Sequence, residues 1–307
     1  MTGSAHERVV LTFYRFFELN DPAGLRDELA PLGERLDLKG TILLAAEGIN
    51  GTVVGRPEAL ATLAHLLQQR CGELPFKRSS LDEDNAGFYR FKVRVKPEIV
   101  SFGVEGVDAR DTGEHVGVAQ WHELQDDPDV VVIDTRNTYE IAIGTFPGAV
   151  SPETTNFREF PAWVTKHLDP ARQPRVAMFC TGGIRCEKAS AYLKKEGFDQ
   201  VYQLDGGILR YLEHAEPDEN RWQGECFVFD QRVSVNAELG QGAYQQCFAC
   251  RHPLSEADAA SPDYEQGVSC PHCIDASDAT RTDNLRERQR QVALAEARGA
   301  QHIGKPQ

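Results

Sequence analysis

Along the first hundred residues, the apolar positions switch between two periods. VVLTFYRF (9–16) reads as a strand, and 21–36 reads as a helix opened by Asp21-Pro22, an N-cap followed by a first-turn proline. KGTILLAAEGINGTVVG (39–55) predicts two strands joined through Gly48, with a further bend or bulge at Asn50-Gly51. In PEALATLAHLLQQR (57–70), Leu60, Leu63, Leu66 and Leu67 share one helical face. FYRFKVRVK (88–96) alternates again as a strand. The order β-α-β-β-α-β predicts a ferredoxin-like α+β sandwich, a fold that carries no function by itself.

The last of these strands also sorts its charge. Arg90, Lys92, Arg94 and Lys96 stand two residues apart, so they share one face, with Phe91, Val93 and Val95 on the other. Such a row of cations suits a phosphate backbone; a solvated face paired with nearby carboxylates is the alternative.

From about 115 to 215 the pattern becomes α/β. VVVIDT (130–135) and RVAMFC (175–180) are continuous apolar runs, as buried parallel strands should be. A short helix follows around Arg136–Ile141, a second helix covers 186–196, QVYQL (200–204) is a short strand, and a third helix follows Gly206-Gly207. Beyond 220 the chain turns rich in Cys, Gly and Gln, and it ends in a highly charged helical stretch, 280–298. The resulting units are 1–110, 111–222 and 223–307, with no internal repeat.

Composition changes this picture in three ways. With 307 residues, 41% apolar and 26% charged, the chain has the makings of two or three globular domains. No run of eighteen apolar residues predicts a membrane span, and MTGSAHERVV has no signal-like apolar core, so a cytoplasmic location is expected. Eight cysteines in such a protein point to metal or thiol chemistry, and a net charge of −14 argues against a generally electrostatic nucleic-acid binder. It leaves room for a local basic face.

MFCTGGIRCEKASAYL (178–193) concentrates the chemistry. A strand end, a Gly182-Gly183 loop and a helix start direct backbone N–H groups toward the loop centre, and Arg185 adds a cation. All of these favour thiolate over thiol, which makes Cys180 a candidate nucleophile within the loop Thr181, Gly182, Gly183, Ile184. Cys186, on the first helical turn, either packs or resolves an oxidised Cys180.

Cysteine phosphatases space the loop as Cys-x5-Arg, whereas Cys180-x4-Arg185 resembles the six-membered loop of rhodaneses, which carry sulfur as a persulfide. VVIDTRNTYEIAIGTFPGAV (131–150) and LDGG (204–207) resemble other rhodanese signatures. Asp134, Arg136 and Glu140 read as structural, with Arg136 and Glu140 one helical turn apart and able to pair. The resemblance extends further. GINGTVVG (48–55), CTGGIRCEKASAYL (180–193), GECFVFDQRV (224–233) and the terminal CFAC…CPHC follow the same order in the bacterial tRNA uridine(34) hydroxylases. That resemblance implies a ferredoxin-like (acylphosphatase-like) domain, a rhodanese domain and a Cys-rich region. It further implies oxygen-dependent conversion of wobble uridine to 5-hydroxyuridine, with Cys180 essential, dioxygen as co-substrate and a tRNA anticodon loop as partner. No flavin or haem motif is visible, and Cys180 could work as thiolate, persulfide or sulfenic acid. In that context Arg90–Lys96 becomes a tRNA-binding face. Tyr192, Tyr202 and Tyr211 could stack on bases if they are not core, and Asp205 could line the mouth of the site. Persulfide transfer is the second reading, and an RNA-binding adaptor without catalysis the third.

Cys247-x2-Cys250 and Cys270-x2-Cys273 form two knuckles nineteen residues apart, a spacing that suits a closed structural zinc site. An iron–sulfur cluster and unmetallated dithiols are the alternatives. His272 could compete as a ligand. Arg281, Arg286, Arg288 and Arg290 beyond the knuckles could touch RNA or only solvate a helix, and Cys71 and Cys226 match no ligand spacing.

Overall fold

The alternation at the N-terminus builds a sheet with helices on one face. In the computed structural model, which describes residues 8–81, 87–276 and 278–299, this part holds β1 (Val9–Phe16), α1 (Pro22–Arg35), β2 (Lys39–Ala45), β3 (Gly48–Gly55), α2 (Pro57–Cys71), β4 (Phe76–Ser80) and β5 (Phe91–Val95). Asp21 caps α1 by accepting the Gly24 N–H at 2.8 Å. Leu25, Leu29 and Leu32 of α1 and Leu60, Leu63 and Leu67 of α2 bury against Leu11, Phe13, Ile42, Leu44 and Val53.

The sheet order is β4-β1-β3-β2-β5, and two expectations are corrected here. The fourth strand of the ferredoxin-like order is β4, pairing antiparallel with β1; the 88–96 segment instead gives β5, an added edge strand parallel to β2. Asn50-Gly51 is neither bend nor bulge, because β3 pairs without interruption through Tyr14↔Asn50 and Phe13↔Gly51. Gly51 is there for space: a Cβ would fall 2.5 Å from the Phe13 ring.

The second unit is a parallel sheet in the order β6-β10-β9-β7. Its elements are β6 (Glu114–Val116), α3 (Val118–Asp126), β7 (Val131–Asp134), α4 (Thr138–Ile141), β8 (Gly144–Thr145), α5 (Phe160–His167), β9 (Arg175–Phe179), α6 (Ile184–Lys195), β10 (Gln200–Leu204) and α7 (Gly207–His214). Val176, Ala177, Met178 and Phe179 of β9 are fully buried, as an inner parallel strand requires.

The chain then returns across this unit. β11 (Gln223–Gly224) pairs with β8, β12 (Cys226–Phe227) pairs with β13 (Ser234–Val235), and Trp222, Cys226, Val228 and Val235 enter the core around Trp121 and Phe179. β14 (Gln245–Gln246), β15 (Pro253–Leu254), α8 (Glu256–Ala259) and α9 (Ala279–Glu296) complete the described chain. Among the described residues no helix is long and apolar enough to cross a membrane.

The open face of the first sheet meets the second unit. Tyr14, Asn50 and Lys77 share that face, since each alternates with an inward neighbour in register. Lys188 of α6 joins Glu47 (2.8 Å) and Glu98 (2.7 Å), and Arg232 donates to Ser79 Oγ at 3.1 Å.

Candidate active site

Cys180 follows β9 directly, at the carboxyl end of a parallel sheet, where open α/β folds place ligands. Gly183 is the N-cap of α6 with φ +100°, and its N–H donates to Cys180 Sγ at 3.1 Å. The positive φ needs glycine, and so does the neighbourhood: a Cβ on Gly183 would lie 2.7 Å from the Tyr14 hydroxyl. Gly207 backs the loop from behind. A Cβ there would stand 2.4 Å from the Cys180 carbonyl, which accepts the Ile208 N–H at 3.0 Å. Thr181 donates to the Phe227 carbonyl at 3.4 Å, and its own carbonyl accepts from Leu209 at 3.1 Å. Gly182 is the open side of the loop, with nothing within 4 Å of a Cβ position, and Ile184 starts α6 half-buried.

Cys180 and Cys186 are both fully buried. Burial works to raise the Cys180 pKa, but the Cys186 thiol, the Arg185 guanidinium and the N–H groups of Arg185 and Cys186 outweigh it, and the pKa falls. Burial and the charge on Cys180 push the Cys186 thiol well up, although Thr135 Oγ1 lies 3.6 Å from its sulfur. The pair therefore divides into one readily ionised sulfur and one proton-bearing neighbour.

Arg185 is buried and anchored on Glu140, with its charge still acting on Cys180. Its Nη1 and Nη2 donate to Glu140 Oε2 and Oε1 at 2.6 and 2.7 Å, and Nη2 also reaches Thr181 Oγ1 at 3.4 Å. The expected Arg136–Glu140 side-chain pair is replaced by this one. Arg136 instead grips Asp134 (2.8 and 2.6 Å) and donates to the Glu140 and Gly144 carbonyls. Asn137, in extended conformation, caps α4, so Arg136 lies outside the helix and the one-turn spacing does not apply.

Several groups near the loop carry no local sequence signal. The Tyr14 hydroxyl donates to Glu187 Oε1 at 3.1 Å; His115 Nε2 lies 3.1 Å from the same oxygen, and Gln203 Nε2 donates to Oε2 at 3.2 Å. Burial first, then Glu187 and Cys180, hold the Tyr14 phenol well above its ordinary pKa. Lys77 Nζ donates to the Gly206 carbonyl at 2.8 Å, and burial lowers its pKa. Alternation does place Tyr14 and Lys77 opposite the core face, but only the packing of the second unit tells what that face meets.

The remaining candidates divide. Arg90, Arg94 and Lys96 are exposed and Lys92 half-buried on the edge strand, and among the described residues none has an ion pair. Phe91 and Val93 pack on the core, whereas Val95 remains 41% exposed. Tyr192 and Tyr211 are core residues, Tyr211 being bonded to His122 at 2.9 Å; Tyr202 is half-buried and bonds Gln200. Asp205 pairs with Arg210 at 2.7 Å beside Gly206.

Cys247, Cys250, Cys270 and Cys273 bring their sulfurs within 4.8 Å of one another, with Cys250–Cys270 and Cys270–Cys273 at 3.7 Å. Four thiolates around an ion at about 2.3 Å stand roughly 3.8 Å apart, so this cluster can hold a metal. His272 is outside it, near Asp258 (3.4 Å) and stacked on His252. The arginines of α9 serve the same unit: Arg281 donates to Ala249, Arg286 pairs with Glu265, Arg288 donates to Phe248 and Gly267, and Arg290 pairs with Glu287. Cys71 and Cys226 are buried thiols whose pKa burial pushes up to about 11 and about 12.

Residues 8–99 match the family model of the UPF0176 acylphosphatase-like domain, and residues 118–214 match that of the rhodanese-like domain. Among solved structures, the chain is similar to a protein of unknown function from Rhodopseudomonas palustris, described as a possible tyrosine phosphatase. The identity is 23%, over 38% of this chain and 95% of that one, with a TM-score of 0.30. A rhodanese-related protein from Thermoplasma volcanium matches at 20% identity, over 34% of this chain and 95% of that one, with a TM-score of 0.27. An acylphosphatase from Coxiella burnetii matches at 15%, over 31% of this chain and all of that one, with a TM-score of 0.23.

Proposed function

From the architecture of the UPF0176 family, an acylphosphatase-like domain followed by a rhodanese domain, we propose that this chain hydroxylates wobble uridine 34 of tRNA to 5-hydroxyuridine, with Cys180 as nucleophile. The observation that carries the reading is the Cys180 loop, a buried thiol with lowered pKa held by the Gly183 N–H in a site with an open side at Gly182.

The thiolate adds to C6 of the uracil ring and develops carbanion character at C5, where dioxygen reacts. One oxygen atom remains on C5 and the other leaves as water. The two electrons come from a thiol reductant that becomes a disulfide, and sulfur departs from C6 as the C5 proton is lost. The base is taken from the anticodon loop, where single-stranded bases can be turned out of the stack. Arg90, Lys92, Arg94 and Lys96 bind its backbone in this reading. Cys247, Cys250, Cys270 and Cys273 hold a structural zinc ion that clips the C-terminal region. Cytoplasmic tRNA is the expected substrate pool.

The same loop N–H groups would also hold a Cys180 persulfide, which favours rhodanese-type sulfur transfer as the second reading. Incubation of unmodified tRNA with the protein and a thiol reductant under oxygen-18 gas, beside Cys180→Ala, separates the two. Labelled hydroxyuridine that vanishes in Cys180→Ala is the expected result. Thiouridine without label would turn the assignment to sulfur transfer, and label that persists in Cys180→Ala would remove Cys180 from the chemistry.

A further inference from the structure

Addition of a thiolate at C6 forms the S–C6 bond and moves the C5–C6 π pair through C4 onto O4. The adduct therefore carries an enolate oxygen that a fixed cation or donor must hold. The loop's own guanidinium is committed elsewhere: both terminal nitrogens of Arg185 are on Glu140, inside the core.

A second cation comes from the other unit. Lys77 lies on β4 opposite Thr12 of β1, on the open face of the first sheet. Its Nζ donates to the Gly206 carbonyl at 2.8 Å, and a Cβ on Gly206 would stand 2.8 Å from that nitrogen. The next residue, Gly207, packs against the Cys180 carbonyl. An ammonium has three protons, so one bond to Gly206 leaves two for a ligand. Besides Cys180, the charges that face Lys77 are Glu213, Arg210 and Asp205, of which the last two pair with each other. Tyr14, from the same sheet face, closes on Gly183 from its own strand.

We infer that Lys77, supplied by the N-terminal sheet, is the cation that holds the O4 oxyanion when Cys180 adds to the base. The site is then composite, built from both domains. This rests on the hydroxylase reading above. Lys77 gives up no proton or electron: the ammonium stays charged while the pair moves from O4 back through C5 into the new C5–O bond with dioxygen. The C5–H pair released later, as the C5 proton is lost, expels sulfur from C6.

Full-length Lys77→Met and Lys77→Arg are compared with the unaltered protein in the oxygen-dependent assay with dithiothreitol. Lys77→Met should lower kcat by about a hundredfold or more, as loss of one oxyanion donor does, while KM for tRNA stays within about twofold. Lys77→Arg should recover part of the loss. In parallel, the labelling rate of Cys180 by iodoacetate relative to iodoacetamide should fall several-fold in Lys77→Met, because only the anionic reagent uses the cation. A Lys77→Met enzyme within about threefold of full kcat, with Cys180→Ala inactive, overturns the inference and leaves the hydroxylase standing. Should the unaltered protein make no hydroxyuridine, the functional reading fails and the labelling ratio decides alone. An unchanged ratio then removes Lys77 from the site, and a lowered one keeps it there as the anion-holding cation.

Discussion

Cys180 has the most unusual electrostatics at the scale of single residues, because burial would keep its thiol protonated and its neighbours do the opposite. Its pKa is depressed in the fold, so thiolate is already present at pH values below the ordinary thiol range and is lost only as pH falls through the folded value. Iodoacetamide labelling of Cys180 against pH should rise with a midpoint below the usual value of about 8.5, and one at or above it would contradict the site's electrostatics. Cys186 should react far later. Glu140 makes a second prediction. Its carboxylate neutralises Arg185 at no exposure, so Glu140→Gln strands a buried guanidinium and should cost about 3–5 kcal/mol in denaturant unfolding. A loss below about 1 kcal/mol would mean that solvent reaches the pair. The loop from Cys180 to Arg185 was legible because its glycines and spacing are contiguous. Glu140's partner was not, since a contact between residues forty-five positions apart leaves no local period.

At the scale of elements, β5 carries a charge row that its edge position leaves available. Lys92→Ala with Arg94→Ala should weaken tRNA binding uniformly across sequences. The slope of log affinity against log salt should flatten by about one for each phosphate no longer neutralised. An unchanged slope in filter binding over a salt series would return the row to a solvated face. β4 escaped the sequence reading for a physical reason: FKRSS offers only Phe76 to the core, and its other positions face polar surroundings. The clearer alternation of FYRFKVRVK then took its place in the expected strand order. The knuckles were legible because ligand geometry dictates short, fixed spacings. Metal analysis should find about one zinc per chain, and Cys270→Ser should release it and free α9, whose Arg288 docks on Phe248 and Gly267. Retention of the metal by Cys270→Ser would place it elsewhere.

At the scale of the whole molecule, the composite site inferred above requires the first sheet to stay against the Cys180 loop, and Lys188 is the fastener to test. Its amine is nearly fully buried between Glu47 of the hairpin turn and Glu98 of the connecting segment. Burial alone would raise the Glu98 pKa; Lys188 and the N–H groups of Phe102 and Gly103 bring it below the ordinary carboxylate value. Folding therefore releases a proton from Glu98, and its contribution is present above the unfolded pKa of about 4.3 and lost as pH falls through the folded value. The three tryptophans, Trp121, Trp163 and Trp222, all lie in the second unit, so their fluorescence reports that unit alone while far-ultraviolet circular dichroism reports both. In the unaltered protein at neutral pH the two signals should lose structure in one transition, because Tyr14, Lys77, Lys188 and Arg232 tie the units together. Lys188→Ala should split them, and kcat should fall as Lys77 and Tyr14 withdraw from the loop. Acid should begin to split the unaltered protein as Glu98 protonates, and add little to a split already made by Lys188→Ala. Coincident transitions in Lys188→Ala would mean that the junction holds without its central ion pairs. The site's composite character would then rest on the Tyr14–Glu187 and Lys77–Gly206 bonds alone.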